Sequence, residues 1–182
     1  MTTRIYLTGF MTSGKSTLGP ILANVLGWEF YDLDKVIERD QNKSINDIFT
    51  ENGEGFFRKI ERQTLIKLCS LNKVIVGLGG GTIADAENFK FMKESGKIIY
   101  LYISPETIYK RIKNKIDRPL FRELVLAENS KDEFLKRIND LMKDRSKYYE
   151  DADLIINTEE NPIGITIDKI VKKIKVLINE KN

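Results

Sequence analysis

The sequence predicts a single α/β domain built on a mostly parallel, helix-covered sheet of five strands. Five short apolar segments alternate along the chain with segments whose apolar residues recur at helical spacing. Helices between consecutive strands imply crossover connections, which parallel strands require. The strand segments are nearly continuous apolar runs, as expected for strands that are buried on both faces. The length of 182 residues suits one domain of this kind.

Local signals fix the elements in chain order. The first strand is a β-branched run that ends at Gly9, and Gly27 is a residue type that commonly ends a helix. Asp85 is a suitable cap for one later helix, and Pro105 suits the first turn of the next. The predicted strands cover residues 5–8, 29–31, 74–78, 98–103 and 154–156. The predicted helices cover residues 15–26, 53–71, 85–94, 105–112, 132–149 and 163–178.

One segment, 114–131, breaks this alternation. It is charged, contains Pro119 and has no clear period. A loop of this length in a compact domain is usually functional. We therefore predict a lid over about residues 112–131 within one domain that spans residues 1–182.

Composition excludes several classes of chemistry. The chain has no histidine, which rules out Ser-His-Asp catalysis and histidine metal sites, and its one cysteine, Cys69, rules out an internal disulfide. The net charge of +3 does not indicate a nucleic-acid or membrane partner, and no apolar run is long enough to span a bilayer. We expect a cytoplasmic protein that uses carboxylates, Lys, Arg, hydroxyls, backbone amides and an oxygen-bound cation.

A complete phosphate-binding loop lies between the first strand and the first helix. Residues 9–16, Gly-Phe-Met-Thr-Ser-Gly-Lys-Ser, match the pattern G-x-x-x-x-G-K-[ST] in full. Gly9 and Gly14 allow the backbone to curl so that successive N–H groups point at phosphates, and the helix that follows adds its positive end. Lys15 supplies a charge to the β- and γ-phosphate oxygens, and the Ser16 hydroxyl can bind Mg²⁺.

Two aspartates follow the second predicted strand. Residues two apart in a strand share a face, so Asp32 and Asp34 are expected to emerge together at the carboxyl edge of the sheet, where ligands bind in open α/β folds. One carboxylate could serve Mg²⁺ and the other could hold an acceptor hydroxyl. The alternative interpretation is a pair of residues that cap a helix.

Other candidate residues come from three further segments. Arg58 and Glu61 lie on one face of a predicted helix, although most such pairs are solvated surface ion pairs. The glycines at 79–81 end a buried strand and allow a ligand to approach the backbone, although a tight turn alone would also explain them. Arg118 lies in the predicted lid, and Arg145 lies late in a predicted helix before the fifth strand. An arginine in the lid could close over the γ-phosphate and neutralise its charge, whereas either arginine taken alone could be a solvated surface charge.

Taken together, these motifs resemble the shikimate kinase family, within the nucleoside-monophosphate-kinase-like P-loop group. The resemblance covers residues 4 to about 160. It rests on the loop at 9–17, Asp-Leu-Asp at 32–34, Phe-Phe-Arg-Lys-Ile-Glu at 56–61, Gly-Leu-Gly-Gly-Gly at 77–81, Arg-Pro-Leu-Phe at 118–121 and Arg-x-x-x-Tyr at 145–149. It implies a three-layer α/β/α fold with a five-stranded parallel sheet, a helical substrate-binding region at about 33–61 and a mobile lid.

The resemblance also implies an activity and an acceptor site. The expected reaction is transfer of a phosphoryl group from ATP to the 3-hydroxyl of shikimate, on the route to aromatic amino acids. Asp34 would hold the ring hydroxyls and act as base, and Arg58 and Arg145 would bind the carboxylate. Gly80 and Gly81 would supply backbone contacts. Shikimate and ATP are the implied partners of an enzyme that is expected to be a monomer.

The nucleotide site follows from the same resemblance. Lys15 and Arg118 would contact the transferring phosphate, Ser16 would bind Mg²⁺ with Asp32 behind it, and Arg111 would lie against the adenine. The remaining loop residues expected to bind ATP are Thr12, Ser13, Gly14 and Thr17. Residues 157–162 match the adenine loop of the family only loosely.

The chain departs from the family pattern at two positions. Thr12 stands where the family usually has glycine, and Lys147 stands where a proline commonly follows the carboxylate-binding arginine. Two other functions stay open: a related kinase for gluconate or a nucleoside monophosphate, and a catalytically silent nucleotide-binding module. A silent module is expected to have lost Lys15, Asp34 or Arg58, and all three are present.

Overall fold

The computed structural model describes residues 4–115, 119–127 and 130–179. Its sheet has five strands in the order β2-β3-β1-β4-β5, and every adjacent pair is parallel. The strands are β1 (Arg4–Thr8), β2 (Glu29–Asp32), β3 (Val74–Gly77), β4 (Lys97–Tyr102) and β5 (Leu154–Asn157). The prediction of five parallel strands is confirmed, with bounds within one residue of those expected.

Nine helices accompany the strands in the described part of the chain. They are α1 (Lys15–Leu26), α2 (Leu33–Gln41), α3 (Ile45–Cys69), α4 (Ala86–Ser95), α5 (Pro105–Ile112), α6 (Arg122–Leu126), α7 (Lys131–Lys143), α8 (Ser146–Glu150) and α9 (Ile163–Asn179). Short 3-10 turns occupy Thr82–Ala84 and Pro119–Phe121. None of the helices described is long and apolar enough to cross a membrane.

The alternating side chains of the strands pack into two layers of core. Tyr6, Val76 and Tyr100 face one side of the sheet and pack with residues of α2, α3 and α4. Ile5 and Ile99 face the other side, where α1 and α9 cover them. A smaller cluster at the end of the sheet joins Phe10 with α5 and α7. This arrangement is the three-layer α/β/α fold that the sequence predicts.

Helix ends agree well with the local signals. The Asp85 carboxylate accepts a hydrogen bond from the Asn88 N–H at 2.8 Å and so caps α4, and Pro105 is in the first turn of α5. Gly27 ends α1 in the left-handed conformation, with φ of 65°. These ends depend on local chemistry alone, which is why the sequence predicts them.

The structure corrects three predicted elements. The residues after β2 form helix α2, which the periodicity analysis did not assign, and α3 begins at Ile45 rather than at residue 53, with a kink at Gly53. The predicted helix at 132–149 is two helices, α7 and α8, that meet at Arg145. Part of the predicted lid is ordered as a 3-10 turn and helix α6, so it is not the unbroken loop expected.

Candidate active site

The phosphate-binding loop has the curled backbone that its sequence predicts. Gly14 has φ of 100°, in the left-handed region, and α1 starts at the next residue. At Gly9 any side chain would collide, because a Cβ would lie 2.6 Å from the carbonyl oxygen of Leu101. Lys15 lies across the loop, where its Nζ donates to the carbonyl oxygens of Gly9 at 2.6 Å and Phe10 at 3.2 Å. The ammonium group is thus held over the concave side of the loop.

A cleft of about 260 Å³ borders this loop. Arg111 of α5 forms one wall, and its Nη1 donates to the Thr12 carbonyl at 2.5 Å. Thr158, which follows β5, donates to the Ser13 carbonyl at 3.2 Å. The residues that line the cleft are Thr12, Ser13, Gly14, Thr17, Leu18, Arg111, Thr158, Asn161, Ile163 and Thr166. The cleft therefore joins the loop to the segment 157–162 that the sequence matched to an adenine loop.

Thr12 adopts an unusual backbone conformation at the tip of the loop. Its φ is 65°, a region that β-branched residues rarely occupy, and its hydroxyl is buried without a hydrogen-bond partner. A glycine would fit this conformation without strain. The departure from the family pattern at Thr12 therefore places a β-branched residue in a backbone conformation that suits glycine better.

Three consecutive glycines after β3 contact three candidate side chains. A Cβ on Gly79 would lie 2.7 Å from Oδ1 of Asp34. On Gly80 it would lie 3.2 Å from Nη1 of Arg145, and on Gly81 it would lie 2.7 Å from Nη2 of Arg58. The carboxylate and both guanidinium groups thus converge on one turn at the carboxyl edge of the sheet. A plain tight turn would not need this convergence.

Asp34 lies in a helix rather than in a strand. Asp32 ends β2 and caps α2 by accepting from the Lys35 N–H at 3.3 Å, and Asp34 is in the first turn of that helix. The expected geometry of two carboxylates on one strand face is therefore wrong, and the capping interpretation of Asp32 is confirmed. The two carboxylates are nevertheless close enough to repel each other. Burial, followed by the charges of Asp32 and Glu61, raises the pKa of Asp34 to about 6, and Lys15 opposes the rise.

Arg58 forms an ion pair with a buried partner. Its Nη1 donates to Oε2 of Glu61 at 2.8 Å, and the Glu61 side chain is only 1% exposed. Its Nε and Nη2 also donate to Oε1 of the exposed Glu54, at 3.3 and 3.2 Å. Hydrogen bonds and charge from both carboxylates outweigh burial and raise the pKa of Arg58. The pair is therefore not the solvated surface pair that was the alternative.

Arg145 lies at the break between α7 and α8. Its guanidinium carbon is 5.8 Å from the centre of the Phe10 ring, so the side chain extends over the residue after Gly9. Burial raises the pKa of Tyr149, while the charge of Arg145 lowers it. Arg145 therefore contacts both the phosphate-binding loop, at Phe10, and the glycine turn, at Gly80.

The predicted metal-binding residues lie on two different elements of the fold. Ser16 is exposed in the first turn of α1, and Asp32 is half-buried at the end of β2. No group of three or more Asp, Glu or Cys side chains suited to a metal occurs among residues 4–115, 119–127 and 130–179. A hydroxyl and a carboxylate fit Mg²⁺, which typically takes one or two protein oxygens and completes its shell with water and phosphate oxygens. Arg118 lies outside the described residues.

Two polar residues near the site belong to no motif that the sequence analysis used. Thr82, which follows the glycine turn, is fully buried and donates to Oε1 of Glu61 at 2.6 Å. Glu159 accepts from the N–H and hydroxyl of Ser104 and so joins the 157–162 segment to the start of α5. Both are single residues whose partners are distant in sequence, so only the fold brings them together.

Comparison with known proteins gives a consistent result. The family model described as shikimate kinase matches residues 11–175. The chain is 43% identical over 171 residues to the shikimate kinase of Chlorobium chlorochromatii, an alignment that covers 94% of this chain and 90% of that protein. The solved shikimate kinase of Bacteroides thetaiotaomicron superposes with a TM-score of 0.84 at 31% identity, covering 95% of this chain and 98% of the other. The Acinetobacter baumannii enzyme, solved in complex with shikimate, gives 0.83 at 33% identity, with 100% and 97% covered.

Proposed function

The chain belongs to the shikimate kinase family, and from this premise we propose how its own residues transfer the γ-phosphoryl group of ATP to the 3-hydroxyl of shikimate. The products are shikimate 3-phosphate and ADP. The observation that carries the assignment of residues is the glycine turn, because Asp34, Arg145 and Arg58 each contact one of its three glycines.

The glycine turn holds the acceptor. Arg58 and Arg145 present two cationic forks at neighbouring glycines, which suits a carboxylate. Asp34 presents an acceptor of hydrogen bonds from the ring hydroxyls, and Gly80 and Gly81 would supply backbone contacts to the same substrate. A site with one carboxylate for hydroxyl groups and two guanidinium groups for a carboxylate suits a polyhydroxy acid better than a nucleobase.

Asp34 also receives the proton of the attacking hydroxyl. Its pKa of about 6 lies closer to neutrality than that of an ordinary aspartate, so it is a stronger base that is still ionised at pH 7. As the new O–P bond forms, the bond to the ADP oxygen breaks and the hydroxyl proton moves to the carboxylate. Phosphoryl transfer depends mainly on positioning and on neutralising charge, so no histidine is required.

Cationic side chains outside the glycine turn neutralise the negative charge of the transferring phosphoryl group. Lys15, held over the loop by two carbonyl groups, contacts the β- and γ-phosphates. Arg118 would close over the γ-phosphate from the lid. The loop residues Thr12, Ser13, Gly14 and Thr17 line the nucleotide cleft, and Arg111 bounds the cleft where the base is expected.

Ser16 and Asp32 would hold Mg²⁺, the Ser16 hydroxyl directly and the Asp32 carboxylate through water. When bound with ATP, the ion would supply positive charge that offsets the negative charge of the phosphate groups. Asp32→Asn tests this role without loss of the helix cap, because asparagine caps a helix as well as aspartate does. We expect the variant to keep its stability and to need a higher Mg²⁺ concentration for half-maximal rate.

The enzyme is expected to act as a monomer in the cytoplasm. Lys15, Asp34, Arg58 and Arg145 are all supplied by one chain, so the site does not require a second copy. Light scattering coupled to size-exclusion chromatography measures the molar mass directly. A stable dimer would contradict the expectation.

An acceptor panel tests the function. The enzyme is mixed with MgATP and either shikimate, gluconate or a nucleoside monophosphate, and ADP release is followed in a coupled assay. We expect rapid ADP release with shikimate alone. Gluconate or a nucleotide as the preferred acceptor would favour the related kinases, and no turnover with any of them would favour the silent module.

A further inference from the structure

We propose that Thr82 is a positioning residue that sets the place of Arg58 by holding Glu61. The proposal rests on the function above, because it assigns Arg58 to the acceptor carboxylate. Thr82 is fully buried, so its side chain cannot touch either substrate. It acts only through the residues that it contacts.

The three side chains form a continuous chain of hydrogen bonds. The Thr82 hydroxyl donates to Oε1 of Glu61 at 2.6 Å, and Oε2 of the same carboxylate accepts from Nη1 of Arg58 at 2.8 Å. Glu61 is 1% exposed, so water does not compete at either oxygen. Each oxygen has one donor, and the two donors together fix the plane of the carboxylate.

Thr82 is itself anchored to the glycine turn. Its N–H donates to the carbonyl of Gly79 at 3.3 Å, and its own carbonyl accepts from Nδ2 of Asn88 at 3.4 Å. Gly81, which lies against the Arg58 guanidinium, is the residue immediately before it. The turn therefore fixes Arg58 twice, by direct contact at Gly81 and through the carboxylate that Thr82 holds.

The contact through Thr82 and Glu61 matters because a second carboxylate competes with Glu61 for the Arg58 guanidinium. Glu54 also accepts from Arg58, through Nε and Nη2, and the Glu54 side chain is 68% exposed. If Glu61 loses its hydroxyl donor, one buried oxygen is left unsatisfied and the carboxylate turns away from its present plane. The guanidinium would then shift toward Glu54 and solvent, away from the acceptor.

The test compares two substitutions of one residue. Thr82→Val keeps the shape and removes the hydroxyl, whereas Thr82→Ser keeps the hydroxyl. We expect Thr82→Val to raise the KM for shikimate about tenfold and to leave the KM for ATP unchanged. The reason is that the displaced guanidinium of Arg58 would lose its charged hydrogen bond to the acceptor carboxylate. Thr82→Ser should stay within about twofold of wild type. Thr64→Val is the control, since Thr64 is half-buried later in α3 and lies beyond the expected substrate-binding region.

The Arg58→Ala background separates positioning from a general structural effect. In that background we expect Thr82→Val to add nothing to the KM for shikimate, because its effect passes through the missing guanidinium. A further tenfold rise there, or equal KM values for Thr82→Val and wild type, would overturn the proposal. If Thr82→Val does not fold, Thr82→Ala removes the same hydroxyl without added bulk and takes its place. Wild-type turnover of shikimate in the same assay shows that a negative result concerns Thr82 and not the proposed function.

Discussion

The guanidinium of Arg58 lies against the α-carbon of Gly81. A Cβ built on that glycine would fall 2.7 Å from Nη2 and 2.9 Å from Nη1 of Arg58, well inside contact distance. The backbone of Gly81 has φ of −97° and ψ of −18°, which any residue can adopt. The requirement for glycine at this position therefore comes from the neighbouring arginine and not from backbone geometry.

The first prediction follows from that contact. In Gly81→Ala the methyl group would push the flexible end of Arg58 aside, and the acceptor carboxylate would lose a well-placed partner. We expect the KM for shikimate to rise about tenfold. Thermal stability should change little, within about 1 kcal/mol, because a side-chain end moves and alanine restricts the unfolded chain. Steady-state kinetics and thermal unfolding measure the two effects separately.

Gly164→Ala is the control for this change. Gly164 is in α9, where a Cβ would meet nothing within 4 Å. The control should leave both KM values unchanged and raise helix stability slightly. A Gly81→Ala enzyme with wild-type KM for shikimate would show that Arg58 adapts without cost to binding.

The second prediction concerns Lys15. Methionine at this position has no charge and cannot donate to the Gly9 and Phe10 carbonyls. We expect Lys15→Met to lower kcat about a hundredfold or more, because a charged donor to the transferring phosphate is lost. Circular dichroism should show an intact fold. Turnover within threefold of wild type at saturating ATP would contradict the assignment of the phosphate site.

The third prediction concerns the protonation of Asp34. Its pKa is about 6 in the folded protein and 3.8 in the unfolded chain, so below about pH 4 both states are protonated and no penalty exists. Between pH 4 and 6 the unfolded state releases its proton first, and wild-type stability falls as pH rises. Asp34→Asn has no such titration. Its stability relative to wild type should therefore grow from near zero at pH 4 to at most about 3 kcal/mol at pH 7.

Urea denaturation at intervals between pH 4 and 7 gives this difference directly. Asp168→Asn, at an exposed position on α9, serves as the control for the loss of a surface carboxylate. A constant difference for Asp34→Asn would mean that Asp34 titrates normally. The same variant should lose phosphoryl transfer, since asparagine cannot accept the hydroxyl proton.

The sequence predicts the elements and the loop because their signals are local. The strands are continuous apolar runs, and the cap at Asp85 and the first-turn proline Pro105 depend on neighbouring residues alone. Asp34 shows where local reasoning fails. The prediction applied the two-residue side-chain period of a strand to residues 32–34. The strand in fact ends at Asp32, and the Asp32 side chain caps a helix that begins at the next residue.

Tertiary contacts explain the rest of what the sequence did not predict. Nothing in the residues around Thr82 indicates that it donates to Glu61, which is 21 positions earlier in the chain. The alternative for Arg58, a solvated ion pair, could be rejected only when the burial of Glu61 was known. Sequence spacing predicts which side chains share a helix face. Whether such a pair is buried, and which distant residues it contacts, depends on the tertiary structure.

The fourth prediction separates the two substrate sites. Arg111 donates to the Thr12 carbonyl and walls the nucleotide cleft, so Arg111→Ala should raise the KM for ATP several-fold and leave the KM for shikimate unchanged. Lys110→Ala, one residue earlier and exposed, is the control for charge on the same helix. An equal effect of both variants on ATP would point to general electrostatics, and an effect on shikimate would place Arg111 in the acceptor site.

The fifth prediction concerns the two arginines at the glycine turn. Removing a charged, bidentate contact costs about 2–3 kcal/mol, so Arg58→Ala and Arg145→Ala should each weaken shikimate binding roughly 30–150-fold. Affinity for ATP should change little. Lysine at either position should restore binding only in part, because a single ammonium group cannot reproduce the planar fork. Isothermal titration with shikimate measures the affinities without turnover.

A change in the acceptor shows whether the lost affinity belongs to the carboxylate. Wild type should bind an analogue with a neutral amide in place of the carboxylate poorly, and Arg58→Ala should weaken its binding much less than it weakens the binding of shikimate. The cycle of two proteins and two ligands gives the coupling free energy between the guanidinium and the carboxylate. A coupling near zero would mean that Arg58 serves only its ion pairs with Glu54 and Glu61, and that another group binds the acceptor carboxylate. A coupling of about 2 kcal/mol would assign the carboxylate to Arg58, because no other contact of this side chain depends on the acceptor's charge.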